Sequence, residues 1–384
     1  MKNKPVDAPH FSQLMKLVPD DTQQPVDWAK IWTLWPELPV LDACPQDQVH
    51  HGEGDAGIHT RMVVEALVSD DNWQRMEGQK RAGLFWAAVL HDVGKPGKTV
   101  HEENGRITSR GHSRLGAAIA RRLLWQAEAP FNWREAICGL IEAHQLPFWL
   151  IERADPKRLA IRTSWQCLPE DLCIHAHADA QGRVCQDQEA IIDNVALARA
   201  IFEENDCLHQ RFSFANDESR VAFFEKEDRD PHFAAHEAFR CHVTVMAGLP
   251  GSGKDTWLSK CRPEIPVVSL DGIRAETGAK ATGNQGTVIQ TAQDRVKEFL
   301  RKRQDFAWNA TNISRNVRSK ILRLLRDYGA HIHIVYIERS PDVLFRQNAD
   351  RDAAVPLHIL KELVRKLEPP ELWETHQVSY VVDA

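Results

Sequence analysis

Gly248-Leu249-Pro250-Gly251-Ser252-Gly253-Lys254-Asp255-Thr256 decides how the second half of this chain is read. An apolar run, His242 to Ala247, precedes it and predicts a short buried strand; Trp257-Leu258 follows and predicts the start of a helix. Strand, glycine loop and helix in that order suit a phosphate cradle. The glycines let backbone N–H groups turn inward around phosphate oxygens, and the helix N-terminus adds partial positive charge. Gly248, Pro250, Gly251, Ser252, Gly253, Asp255 and Thr256 line the expected nucleotide site, and Lys254 reaches the terminal phosphates. One position breaks the pattern. The motif wants Ser or Thr after the lysine, and here stand Asp255 and then Thr256.

Outward from the loop, strands are expected at 242–247, 265–270, 306–310, 331–337 and 377–382, with helices at 254–260, 286–304, 315–328 and 356–367. Alternation of this kind predicts a parallel α/β sheet. In such sheets ligands sit at the carboxyl ends of the strands. The second strand ends Ser269-Leu270-Asp271-Gly272-Ile273-Arg274. Asp271 there can take a proton from an attacking hydroxyl or hold magnesium water, and Arg274 can grip a phosphate bidentately. The third strand ends Asn309-Ala310-Thr311-Asn312, without the acidic magnesium ligand expected at that place. Arg339, Arg346 and Arg351 suit a lid, at about 339–367, that neutralises a transferring phosphoryl group, Arg339 least securely. Helices 286–304 and 315–328 are basic and suit either a nucleic-acid backbone or solvent.

The first half reads differently. Residues 1–50 form a proline-rich extension in which Trp28, Trp32 and Trp35 read as core packing. From 57 to 225 the period is helical, with helices at 57–68, 79–91, 112–125, 133–144, 169–181 and 186–202. The charged, proline-containing stretch 226–240 is the expected linker to a second domain at 241–384. The fold class is therefore multidomain: an all-α domain followed by an α/β domain.

Charge supports two domains with different ligands. Residues 240–384 hold 22 Lys and Arg against 17 Asp and Glu, a net of +5 in a chain whose total is −6. No apolar run approaches the roughly 18 residues a membrane span needs, and Met1-Lys-Asn-Lys-Pro5 has no apolar signal core. The expectation is a cytoplasmic protein with no membrane partner. Eight scattered cysteines without a Cys-x2-Cys pair read as reduced, packed thiols.

In the helical half His91-Asp92 closes a helix and Val93-Gly94-Lys95-Pro96 stops it. His51, Glu53 and His59 lie upstream; His112, His144, His175, His177, Asp179 and Arg183 lie downstream. Histidine with carboxylate suits divalent transition metals, which activate water toward phosphorus. The order His59, His91-Asp92, Asp179 resembles the HD phosphohydrolase superfamily, and the surrounding strings are similar to HD domains attached to tRNA nucleotidyltransferases. The resemblance implies a metal set of His59, His91, Asp92 and Asp179, with Asp92 at the catalytic centre and His112 and His144 serving a second metal or the substrate phosphate. The metal expected is Mn2+, Ni2+ or Co2+. Lys95 and Arg183 could neutralise substrate phosphate; His175 reads as an ordinary histidine.

Residues 240–384 resemble the 5′-OH polynucleotide kinase branch of P-loop phosphotransferases, on the glycine loop, Asp271-x-x-Arg274 and the arginine lid. That implies ATP or another NTP with Mg2+, catalysis by Lys254, Asp271, Arg274 and Arg346, and ATP contacts from Arg346 and Arg351. Both halves together are similar to the bacterial HD-Pnk family of RNA end-healing proteins. The resemblance implies RNA or DNA termini as substrates and a separate RNA ligase, since no adenylating-lysine module is evident. Two other readings stay open: an HD phosphodiesterase fused to a small-molecule kinase, and a nucleotide-sensing regulator.

Overall fold

The structure, a computed structural model, describes residues 9–279, 286–351 and 354–383. The expectation for Met1–Pro5, and residues 352–353 of the expected lid, lie outside the described residues. The chain divides into two compact units, Met1–Phe212 and Ser213–Ala384.

The first unit is helical: α1 (Ala56–Val68), α2 (Gly78–Leu90), α3 (His112–Gln126), α4 (Phe131–Ala143), α5 (Pro156–Ser164), α6 (Pro169–Gln181) and α7 (Gln188–Glu204), with shorter turns between them. Helix α5 was not expected from the apolar period, but its start signals are present. Asp155 accepts a hydrogen bond from the Arg158 N–H at 2.9 Å, and Pro156 takes the first helical position. A two-stranded antiparallel hairpin, β1 (Val100–His101) with β2 (Ile107–Thr108), interrupts the helices. Helix α2 is the core of this unit. Ala82 and every residue from Leu84 to Leu90 are buried, so the helix is enclosed on most sides. The N-terminal extension packs on it: Trp86 donates to the Leu14 carbonyl at 3.1 Å, and Trp35 meets Trp86 edge-on. Trp32 and Trp35 are buried and Trp28 is half-buried against Trp32.

The second unit opens with α8 (Asp217–Glu225) and continues β3 (Cys241–Ala247), α9 (Lys254–Cys261), β4 (Val267–Ser269), α10 (Leu270–Thr277), α11 (Gly286–Arg301), β5 (Phe306–Asn309), α12 (Arg315–Asp327), β6 (Ala330–Glu338), α13 (Pro341–Ala349), α14 (Leu357–Arg365) and β7 (Gln377–Val382). The five strands pair in parallel in the order β4-β5-β3-β6-β7. Strands β3, β5 and β6 are interior and almost continuously buried, which is why they read as apolar runs rather than alternating ones. Their shared direction puts the glycine loop, Asp271, Asn309 and Arg339 at one edge of the sheet.

Two expectations need correction. The sequence places the domain boundary at 225, yet α8 is part of the second unit. Arg220 donates to the Thr375 and His376 carbonyls at 2.9 and 2.8 Å, and Phe224 stacks on Trp373 at 4.9 Å. The stretch 226–240 is fastened to the same helix, because Asn216 donates to the Ala235 carbonyl at 2.8 Å and the Ala235 N–H donates to Ser219 at 2.9 Å. Charge and a proline mark a loop there, but not a free tether. The basic faces of α11 and α12 are also not uniformly open, although Arg301, Arg303, Lys320 and Arg323 are exposed. Arg318 is fully buried in a bidentate pair with Glu374 at 2.6–2.7 Å, while Arg315 pairs with Glu371, Arg295 with Glu276 and Lys302 with Glu298.

Candidate functional site

Five helices deliver their polar ends to one pocket in the first unit. His59 comes from α1, His91-Asp92 follows α2, His112 opens α3, His144 caps α4 and Asp179 sits in α6. All six are buried, none more than 4% exposed. Gly94 makes the meeting possible. A Cβ there would lie 2.2 Å from the His112 carbonyl oxygen and 2.5 Å from the Gly116 nitrogen, so only glycine lets the turn after α2 touch α3.

Asp92 stands at the centre. Its Oδ2 is 3.2 Å from His91 Nε2, 3.8 Å from His59 Nε2 and 2.7 Å from Lys95 Nζ; its Oδ1 is 3.3 Å from His112 Nε2 and 4.0 Å from His144 Nε2. Among the described residues, three groups of possible ligands have donor atoms within 4.8 Å of one another: besides His51-Glu53-His59, two meet at Asp92, namely His59-His91-Asp179 and Asp92-His112-His144. Asp92 thus faces these two with one oxygen each.

The ring protons are fixed by acceptors. His91, His112 and His144 donate Nδ1–H to the carbonyls of Ala88, Ser109 and Ile141, each three residues back, at 2.7–2.8 Å. Each Nε2 is then a lone pair aimed into the pocket, and those of His112 and His144 confront each other at 3.4 Å. Burial, with His91 and His112 beside it, holds His144 well below the ordinary histidine pKa, so it stays neutral. His91 Nε2, Asp179 Oδ2 and both Asp92 oxygens are buried without a well-directed hydrogen bond among the described residues. Lys95 and Arg183 offset part of the carboxylate charge, but facing imidazole lone pairs stay costly in a dry pocket unless a further cation sits among them. Imidazole and carboxylate in this ratio fit divalent transition metals.

His59 is held differently. Its Nδ1–H points to Glu53 Oε1 at 2.9 Å and to the Gly182 carbonyl at 3.1 Å, while Nε2 faces Asp179 Oδ1 at 3.1 Å. Glu53 is itself held by His51 at 2.8 Å and the Val184 N–H at 2.9 Å. Burial opposes charge on His59, but Asp179 and Glu53 outweigh it and raise its pKa. Lys95 and Arg183, the latter 3.0–3.1 Å from Asp179, are buried cations at the pocket wall. His175 is buried with its ring 5.5 Å from that of His91. The sequence places Glu53 beside the expected ligands, in the string His51-x-Glu53, but does not show that it holds the His59 ring.

In the second unit the loop from Gly248 to Gly253 links β3 to α9. Gly251 and Gly253 adopt φ of 82° and 96°, the left-handed region that favours glycine. Lys254 Nζ donates to the Gly248 and Leu249 carbonyls, both at 2.9 Å, and burial lowers its pKa to about 8. The buried Ser252 hydroxyl has no hydrogen-bond partner among the described residues. Asp255 and Thr256 are exposed on the first turn of α9, and Asn309 Nδ2 donates to Asp255 Oδ1 at 2.6 Å. Asp271 is 78% exposed and ion-paired to Arg274.

The expected arginines divide. Arg351 is half-buried, and its charge acts on Lys254; Arg346 is exposed on α13. Arg339, the least secure of the three from sequence, brings Nη2 to 3.6 Å from where a Cβ on Gly253 would lie, and it pairs with Asp383. Asn348 was missed. It backs Gly251 and ties α13 to Val355 through two hydrogen bonds, at 2.8 and 3.1 Å. A neutral residue inside an arginine-rich segment gave no signal of that role.

Residues 58–179 match the HD domain family, a span that holds every pocket ligand from His59 to Asp179. The first unit carries an HD domain. Residues 243–370 match the AAA domain family, over the glycine loop and four of the five strands of the sheet. The chain is 29% identical over 156 residues to a multifunctional CCA protein of Teredinibacter turnerae, covering 39% of this chain and 35% of that one. It is 35% identical over 128 residues to a CC-adding tRNA nucleotidyltransferase of Thermus thermophilus, covering 33% and 26%. The matches thus span about a third or less of these relatives. A solved structure of a proposed kinase from Chloroflexus aurantiacus aligns at 16% identity and a TM-score of 0.32, over 38% of this chain and 86% of that one. A segment matching the HD domain family, followed by one that matches the AAA domain family and carries the glycine loop, is the architecture of this chain. No helix among the described residues is long and apolar enough to cross a membrane.

Proposed function

We propose that this protein heals broken RNA ends. Its second unit phosphorylates 5′-OH polynucleotide ends from ATP or another NTP, and its first unit removes 2′,3′-cyclic or terminal phosphate from 3′ ends. The observation that carries the reading is Asp271. It is an exposed carboxylate at the same sheet edge as the phosphate loop, placed for a bulky hydroxyl acceptor, and it has an arginine within ion-pair reach. A second phosphate-handling site on the same chain supports it. Cleavage of RNA by its own 2′-OH leaves a 5′-OH and a cyclic phosphate, the substrates the two units divide between them. One relative, a CC-adding tRNA nucleotidyltransferase, is named for an RNA substrate, which agrees with this reading.

In the first unit the imidazole lone pairs of His59, His91, His112 and His144, with Asp92 and Asp179, would hold the divalent ions. When bound, these ions supply Lewis acidity toward a phosphate ester. Lys95 and Arg183 balance charge on the bound phosphate. In the second unit Lys254 and Arg351 offset charge on the nucleotide, with Arg346 completing the lid. Asp271 accepts the proton of the attacking 5′-hydroxyl, and Arg274 orients the neighbouring phosphate. Sealing of the healed ends falls to a separate ligase. The test is RNA carrying 5′-OH and 2′,3′-cyclic phosphate ends, incubated with ATP and a metal series, with both termini read. Loss of the cyclic phosphate and gain of a 5′ phosphate are expected. An oligonucleotide left untouched while a nucleoside is phosphorylated would defeat the proposal.

A further inference from the structure

The phosphate loop departs from its pattern at Asp255, and the β5 end departs from its pattern at Asn309. The structure joins the two departures. In P-loop sites the residue after the lysine is Ser or Thr, whose hydroxyl meets Mg2+, and an aspartate from the adjacent strand supplies the charge. Here the carboxylate stands where the hydroxyl belongs and a neutral amide stands where the carboxylate belongs. The side chains touch, Asn309 Nδ2 donating to Asp255 Oδ1 at 2.6 Å. Asn309 is 7% exposed at the carboxyl end of β5, next to β3 and its loop. The charge of Asp255 acts on Lys254 beside it.

We infer that Asp255 is the protein's carboxylate ligand for the Mg2+ of the bound nucleotide, and that Asn309 holds it in position. The pair conserves what the metal needs, one charged oxygen and one neutral polar group, with the carriers exchanged. Asn309 then acts through Asp255 as a positioning residue. This rests on the second unit binding a nucleotide; it does not depend on which hydroxyl accepts the phosphoryl group. A bland role for Asp255 would be to complement the positive end of α9. That role predicts a stability effect without any effect on metal.

The experiment is binding of Mn2+ to the full chain with ADP added, read by electron paramagnetic resonance, on an Asp92→Ala background that weakens the competing pocket. Asp255→Ser is expected to weaken ADP-dependent Mn2+ binding about tenfold or more, while ADP affinity in EDTA stays within about twofold. Asp255→Ser combined with Asn309→Asp restores the ordinary arrangement and regains most of the lost affinity. Asn309→Asp alone, placing two carboxylates in contact, lowers the thermal midpoint of the second unit, and added Mn2+ with ADP recovers it. Unchanged Mn2+ binding in Asp255→Ser, or a double variant no better than Asp255→Ser, would overturn the assignment. If the parent protein shows no ADP-dependent Mn2+ binding, the nucleotide-site reading falls as well, and the two failures are told apart.

Discussion

The two sites solve the same problem, holding phosphate chemistry, in opposite ways. The helical unit buries its whole constellation: six candidate ligands from five helices lie within 4% exposure, and three of four imidazoles have their ring protons set by carbonyls three residues back, two in their own helices and one, for His112, in the loop before it. The α/β unit leaves its chemistry on an edge, where Asp271 is 78% exposed and Lys254 is satisfied by carbonyls of its own loop. The first site is assembled by folding. The second supplies a cradle that a nucleotide completes. A buried polar constellation must be correct before a ligand arrives, because misplaced charge there destabilises the fold itself. An open edge carries no such constraint.

The largest effects come from removing one site outright. Asp92→Ala should abolish 3′ phosphate removal, by about 10³-fold or more, and leave 5′ labelling within about twofold; Lys254→Ala should do the reverse. The comparison breaks if either substitution silences both activities. Next, Asp271→Asn should lower kcat for 5′ phosphorylation by about 10²- to 10⁴-fold, the range of general-base loss, with ADP affinity in a calorimeter unchanged. An equal loss of affinity would place Asp271 in the cradle instead. Smaller is Glu53→Gln. Its side chain keeps the shape but weakens the hold on His59 Nδ1–H, so metal affinity, measured by chelator competition, should fall about 10- to 100-fold. No change would mean that the Gly182 carbonyl alone sets the ring.

The smallest effect concerns the scaffold under the pocket. Arg121 of α3 reaches Glu135 of α4 at 2.8 Å, tying together the helices that carry His112 and His144, and Arg134 reaches the same carboxyl group. Burial would raise the Glu135 pKa, but the two guanidinium groups win and lower it below 4.5. A lowered carboxylate pKa stabilises above its unfolded value, and that share is lost as pH falls through the folded value. The first unit should therefore melt earlier as pH drops below about 4.5, and Glu135→Gln should flatten part of that decline. A pH profile identical in the variant would remove Glu135 from the account.

Reading the sequence recovered what period and spacing encode. The five parallel strands, the glycine loop and the polar residues that meet in the helical pocket all rest on local signals. Contacts between distant stretches stayed hidden. Glu53 is visible as a carboxylate near His59, but its hold on that ring needs the Val184 N–H, 131 residues away. Asn309 reads as a missing charge until β5 is laid beside β3. The basic residues of α12 read as a surface until Glu374, 56 residues on, is seen to bury Arg318. Arg339 and Arg346 are alike in sequence, and only the course of the chain after β6 separates them.

Helix α8 has a consequence for how such a chain can be taken apart or recombined. The piece that carries its own hydrogen bonds begins at 213, not at the first strand of the sheet. A protease or a gene fusion that cut at 226 would strip Arg220 from the Thr375 and His376 carbonyls, and Phe224 from Trp373, leaving a raw face beside β7. The transferable module is therefore a sheet with its own strap, and a swap of second units between chains should be cut after residue 212 and not at 226.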